Sequence, residues 1–281
     1  MSVKEPRASS FQQQLSQQPP AAGKPPTPGT LARLGDFVDF SMQAIKGIRR
    51  IGPFAAETVR QAAIIAAGSA LVIMLLTFLA GNACGLEASA ITRQLGADPA
   101  GPFFASFCTT REIVPIIFGY ILAAKVGCGL VAELGSMQVS EEVDALDTMA
   151  INSVVYLVST RLVACLFVLP IMYFLALATG YIGAWYGSLI RFADVSQGLW
   201  EFGFYTALPP VDLLYSVTKG FVIAFAVLLI ALYYGYRVRG GPVEVGNATA
   251  RSMLVSMAVV TILNMIGTVV FWGFDPGLPI A

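Results

Sequence analysis

Long apolar stretches separated by polar breaks organise this chain. Gln61–Leu86 carries no charge for 26 residues, and Leu162–Ile190 and Ser252–Phe274 are similarly uncharged. Each is long enough to cross about 30 Å of hydrocarbon at roughly 1.5 Å of rise per residue. Gly220–Tyr236 is just adequate, with Leu213 as an alternative start. The remaining stretch is short: only Ile113–Ala124, 12 residues, is free of charge. Twelve residues of helix cover about 18 Å, too little to span. Either that helix extends back through 103–110, carrying Arg111-Glu112 into the bilayer, or the segment is re-entrant. The pattern predicts five transmembrane helices.

Before the first stretch the pattern changes twice. Residues 1–30 are rich in Gln, Pro, Ser and Ala, a composition that buries too little apolar surface to order itself. Over 31–51, Leu31, Leu34, Val38, Ile45 and Ile48 share one helical face, with Arg33, Lys46, Arg49 and Arg50 elsewhere. This predicts a basic amphipathic helix lying in the membrane interface, ended by Gly52-Pro53. The expected organisation is a disordered tail over 1–30, an interfacial segment over 31–58 and a membrane domain over 59–281. No apolar leader opens the chain, so the first span is expected to direct insertion.

Composition agrees with a lipid solvent. The chain is 56% apolar and 12% charged, with a mean hydropathy of +0.72, against about 25% charge in soluble domains. The formal net charge of zero gives no reason to expect nucleic acid, and the lack of histidine excludes His-based catalysis and the commonest zinc ligand. The four cysteines are scattered without a C-x-x-C pair and read as apolar packing residues. Basic residues flank the first span (Lys46, Arg49, Arg50, Arg60) and the loop before the last (Arg237, Arg239, Arg251). The positive-inside rule puts both in the cytoplasm, together with the loop at 129–150, and puts the C-terminus outside. Gly183-x-x-x-Gly187 and Ala176-x-x-x-Gly180 would permit close helix approach.

Candidate chemistry concentrates in 111–161. Arg111 and Glu112 stand where a span should be, and such residues normally face a bundle interior or a cavity. They are candidates for a lipid-accessible cavity or for an ion pair bracing the helices, with Glu87 at the outer end of the first span as a third member. Glu133, Glu141, Glu142, Asp144 and Asp147 follow, and no Lys or Arg occurs from Val126 to Thr160. Ser140 is a plausible N-cap for a helix running to about Met149, with Val143, Leu146 and Met149 on one face. Such a helix suits docking on a partner. No P-loop, dinucleotide fingerprint or G-x-S-x-G is present.

Arg111-Glu112-x-x-Pro115, Lys125-Val126-Gly127, Ala132-Glu133-Leu134-Gly135-Ser136-Met137, Glu142-Val143-Asp144-Ala145-Leu146, Tyr156-Leu157 and Arg161 resemble the core of the MlaE/YrbE permeases, the membrane subunits of Mce-associated ABC lipid transporters. Tyr234-Gly235-Tyr236, Gly240-Gly241-Pro242, Val245-Gly246 and Arg251-Ser252-Met253 resemble the segment before that family's last helix. Within the family, Tyr233–Gly246 looks closest to the actinobacterial YrbE-B type. The resemblance covers about 35–275. It implies an all-α integral membrane fold: an interfacial helix, five transmembrane helices and a cytoplasmic coupling helix over Glu133–Met149. It implies a second permease in a heterodimer, an ABC ATPase dimer seated on the coupling helix, an MCE protein ring on the outer face and a lipid pocket near the outer leaflet. Asn152-Ser153 departs from a common Asp-Pro, and Asn264-Met265 from an acidic-aromatic pair.

The expected function is therefore a multi-pass permease subunit of the plasma (inner) membrane that couples a partner ATPase to lipid movement. No catalysis and no cofactor are expected on this chain, ATP being bound by the partner. Arg111, Glu112 and Glu87 are the expected substrate-cavity residues. Glu133, Leu134, Met137, Glu141, Glu142, Asp144 and Leu146 are the expected ATPase-coupling residues. Two rival readings are an intramembrane lipid-modifying enzyme using Glu112 and an ion-driven secondary lipid transporter.

Overall fold

A computed structural model describes residues 30–191 and 196–273. Among them every regular element is helical. Five helical stretches are long and apolar enough to cross a membrane: span one Gly52–Gln94, span two Asp98–Val139, span three Val154–Leu189, span four Pro210–Tyr236 and span five Pro242–Trp272. The chain is an all-α integral membrane protein. The apolar windows of spans two, three and four are 56, 50 and 50% buried, against 17% for spans one and five. Spans two to four therefore form the core. Leu71, Phe167, Leu254, Met265 and Val270 are each more than two-thirds exposed, as a lipid solvent requires. The expected tail lies almost wholly outside the described residues.

The amphipathic helix runs over Thr30–Gly47, shorter than the pattern suggests, and is followed by single 3-10 turns at Ile48–Arg50 and Gly52–Phe54. In residues 30–39, Leu31, Leu34 and Val38 are exposed. From Phe40 on, Phe40 and Ala44 are buried, and the Phe40 ring packs on Tyr233 and Tyr236 at 5.6 and 5.7 Å between centroids. The helix ends at Gly47 because span three interrupts it. Ser159 Oγ donates to the Ala44 carbonyl at 2.9 Å, and a Cβ on residue 47 would strike that same hydroxyl. The final turn tightens accordingly.

Small residues set spans one and three against each other. A side chain on Gly81 or Gly85 would strike the backbone of Gly180 or Ala184, and one on Gly183 or Gly187 would strike that of Phe78 or Asn82. The Gly183-x-x-x-Gly187 motif thus meets a matching Gly81-x-x-x-Gly85 on span one. Thr77 and Thr179 hydroxyls bond across the seam at 2.8 Å.

Span two is continuous rather than re-entrant. It carries π-helical turns at Cys108–Ile113 and Leu122–Gly127, so Arg111 and Glu112 do enter the membrane-spanning segment. Its first wide turn is tied to span one by a disulfide between Cys84 and Cys108, with Cα atoms 5.9 Å apart. This corrects the reading of all four cysteines as packing residues; Cys128 and Cys165 remain free. Between spans three and four a helix not expected from the sequence covers Gln197–Thr206. The Ser196 hydroxyl caps it by accepting from Leu199 N–H at 3.3 Å. Trp200 and Phe204 stack at 4.6 Å and pack on Ala88, Ala105 and Ala184.

Candidate functional site

The first half of span two acquires its polar knot from one proline. Pro115 has no N–H, so it cannot donate to the carbonyls of the preceding turn. Val114 N–H bonds Thr109 O in the wide turn, which leaves Thr110 O and Arg111 O without their usual helical donors. Span four supplies replacements one turn apart. Ser216 Oγ donates to Thr110 O at 2.6 Å, and Lys219 Nζ donates to Arg111 O at 2.6 Å. The Ser216 hydroxyl also bonds the buried Tyr173 OH at 2.8 Å.

Charge is neutralised at the same level. Arg111 donates from Nε and Nη2 to Asp212 Oδ2 at 2.9 and 2.6 Å. Trp272 Nε1 donates to Asp212 Oδ1 at 2.9 Å. The Arg111 guanidinium lies 4.1 Å from the Phe107 ring centroid and 5.3 Å from that of Trp272, distances at which the ring faces attract a cation. Lys219 Nζ donates to Thr268 Oγ1 at 2.6 Å and faces Glu112 Oε1 at 3.5 Å. Thr268 Oγ1 in turn donates to Glu112 Oε1, and Asn264 Nδ2 donates to Glu112 Oε2 at 2.7 Å. The two cations (Arg111, Lys219) and two anions (Glu112, Asp212) cancel. Span five contributes Asn264, Thr268 and Trp272, spaced four apart on one face, and Gly267 leaves room for the Lys219 stem, which a Cβ there would meet at 3.0 Å.

Arg111 and Glu112 are neighbours in sequence but have different side-chain partners: Arg111 bonds Asp212 of span four, while Glu112 meets Lys219 of span four and Asn264 and Thr268 of span five. The Arg111 side chain is 14% exposed, that of Glu112 41%. Glu112 is thus the accessible member of the knot and Arg111 is committed to Asp212. Glu87 is exposed on span one, one turn past Cys84, and bonds to neither. The sequence reading missed Asp212 and Lys219: it began the fourth span at Gly220, and its alternative start at Leu213 takes in Lys219 but still leaves Asp212 out. Their seven-residue separation, with Ser216 between, was the available signal, as was a proline four residues after Arg111.

The second half of span two, near its end at Val139, holds one ion pair. Arg161, 2% exposed, donates from Nη2 to Glu133 Oε1 at 2.6 Å and from Nη1 to Leu157 O at 3.0 Å. Its Nε has no partner. The helix ends at Val139, and Glu141 takes a left-handed conformation (φ 59°) before the short helix Glu142–Thr148. Contrary to the expectation from sequence, Ser140 does not cap that helix. Its hydroxyl points back to Ser136 O and across to Glu142 Oε1, both at 3.0 Å, and Glu141 occupies the N-cap without a side-chain bond. Ala150 (φ 60°) turns the chain back. Asp147 Oδ1 then accepts from Ser153 N–H at 3.2 Å, and Asn152 Oδ1 from Val155 N–H at 3.0 Å. Asn152 thus supplies the capping oxygen at the entry to span three.

The expected coupling residues separate into two groups. Leu134 is buried, and Met137 and Leu146 are half-buried; Val143, from the same expected face, is buried. Glu141, Glu142 and Asp144 are exposed, as is Met149 at 61%, while Glu133 faces Arg161 and is 44% exposed. Gln138 Nε2 ties this end to the Tyr236 carbonyl of span four at 2.8 Å.

Comparison with known proteins gives the family. Residues 58–270 match the family described as Permease MlaE. A probable ABC transporter permease protein of Rickettsia bellii is 27% identical over 239 residues, 85% of this chain and 92% of that protein. The intermembrane phospholipid transport system permease protein MlaE of Haemophilus influenzae is 27% identical over 218 residues, 76% of this chain and 82% of its own length. A probable ABC transporter permease protein of Synechocystis is 28% identical over 159 residues, covering 57 and 60% of the two chains.

Proposed function

The chain belongs to the MlaE permease family, and from that premise we propose that it is the membrane permease of an ATP-driven lipid transporter, of the actinobacterial YrbE-B type. A partner ABC ATPase dimer docks on the exposed acids Glu141, Glu142 and Asp144, with Met149 beside them. A second, non-identical permease completes the lipid pathway, and an MCE ring receives or delivers lipid on the outer face. The name of the Haemophilus relative supports phospholipid as a substrate class.

The observation that carries this reading is the continuity of span two. One helical rod, Asp98–Val139, holds the Arg111–Glu112 knot at one end and leads directly into Glu142–Thr148 at the other. A push on the short helix is transmitted to span two, and through Arg161–Glu133 to span three. Glu112, exposed at the far end, borders the lipid path; Arg111 sets its height by holding Asp212, and Glu87 lies at the outer rim. The N-terminus is cytoplasmic in this arrangement. The Cys84–Cys108 bond supports that orientation, since it falls at the far end of span one, where an oxidising exterior would let it persist.

Charge reversal tests the docking surface. With Glu142→Lys and Asp144→Lys, co-purification of the ATPase falls by about tenfold or more, because like charges meet across the interface. Undiminished assembly would overturn the assignment of this loop.

A further inference from the structure

We propose a second lipid site, at the mouth of span one, that holds one anionic phospholipid of the leaflet from which spans one and three enter. It is separate from the outer knot. A pocket of about 270 Å³ is lined by Gln43, Lys46, Arg50, Asn152, Val154 and Val155. No acidic side chain pairs with Lys46 or Arg50 among the described residues. Asn152 has its carbonyl oxygen engaged by Val155 N–H, so its NH2 group remains to donate. The pocket therefore offers two cations and an amide donor, the complement of a phosphate. Its floor is fixed by the Ser159–Ala44 bond and the close approach at Gly47.

A second cavity, about 360 Å³ and almost wholly apolar, opens one turn away. It is lined by Ile51 just before span one, along span one by Ala55, Val59 and Ala62, and along span three by Val163 and Phe167. From Ile51 to Ala62 is eleven residues, about 16 Å of helix, or about half of a 30 Å hydrocarbon core. That is the length of one acyl chain in one leaflet. The 3-10 turn Ile48–Arg50 joins the two cavities, with Arg50 lining the basic one and Ile48 the apolar one. Head and tail are thus bound on either side of a single turn. A bound lipid would splint the junction between the interfacial helix and span one.

The test needs neither ATPase nor ATP, so its result stands apart from the transporter reading. The full chain, delipidated in detergent, is titrated with phosphatidylglycerol or phosphatidylcholine and examined by native mass spectrometry. The wild-type chain is expected to retain one phosphatidylglycerol in preference to phosphatidylcholine. K46Q/R50Q should weaken that retention by about tenfold or more, as loss of two interfacial cations implies. Because those residues also bear on topology, N152D is the second variant: it keeps both bases, places an acid in the pocket and should expel the lipid equally. F167A should lower retention of both lipids and leave the headgroup preference intact. Equal binding of the two lipids, or phosphatidylglycerol retention unchanged in K46Q/R50Q and N152D, would overturn the proposal. So would full displacement by millimolar inorganic phosphate, which would make a free anion the occupant, or unchanged retention in F167A.

Discussion

In the half of span two that the proposed topology places outermost, four charges cancel among themselves and every carboxylate oxygen of Glu112 and Asp212 has a donor; at the end it places innermost, a single Arg161–Glu133 pair leaves one guanidinium nitrogen unpartnered and its carboxylate half in solvent. Both ends solve the problem of holding arginine in a membrane helix, with different mechanical consequences. The outer knot fastens spans two, four and five through backbone carbonyls as well as side chains, and a shift of register would orphan several groups at once. The inner pair joins only spans two and three, and water can replace a displaced Glu133. In the proposed transporter the outer end resists and the inner end yields.

The comparison is broken if both ends respond alike to substitution. Asp212→Ala leaves Arg111 buried without its carboxylate, and should destabilise by about 3–5 kcal/mol; thermal unfolding in detergent measures this. Replacing the pair together, Arg111→Met with Asp212→Leu, should recover most of the loss. Reducing the Cys84–Cys108 bond, which closes a separation of 24 residues, should cost about 2–4 kcal/mol, read as a lower Tm in reductant. Lys219→Met retains the stem beside Gly267 but strips the donor from Arg111 O, a loss of about 1–3 kcal/mol. Glu133→Gln at the inner end should cost about 1 kcal/mol or less, since solvent screens the half-exposed carboxylate. Smallest of all, Ala150→Gly relieves a left-handed backbone and should change stability by less than about 1 kcal/mol, in the stabilising direction.

Much of the fold was legible because lipid imposes a simple rule, and apolar runs near twenty residues mark spans. The Gly183-x-x-x-Gly187 seam was legible too, as was the intrusion of Arg111-Glu112 into the second span. What escaped was partnership at a distance. Treating charge as a boundary placed Asp212 outside the fourth span under either start and Lys219 outside it under the Gly220 start, although Pro209-Pro210 marks a natural helix start before them. Once they are inside, Arg111 and Glu112 have counterions. Asn264 was read as the loss of a charge from span five; in the fold its amide is a donor to Glu112. The disulfide was not legible, because the spacing of Cys84 and Cys108 carries no motif and only the turn between spans one and two brings them together. The start of the short helix, expected at Ser140, escaped for a local reason: the Ser140 hydroxyl had an alternative acceptor in the preceding turn.

The central claim is that span two carries motion from Glu142–Thr148 to the Arg111–Glu112 knot. Lipid moved per ATP hydrolysed, by the assembled transporter in vesicles, tests it directly when Ile116 and Ile117 are both changed to Gly. Two glycines soften the middle of the rod by about 1 kcal/mol each and alter neither end. The account predicts that the ATPase still binds and hydrolyses ATP while lipid moved per ATP falls several-fold. An unchanged ratio would contradict it.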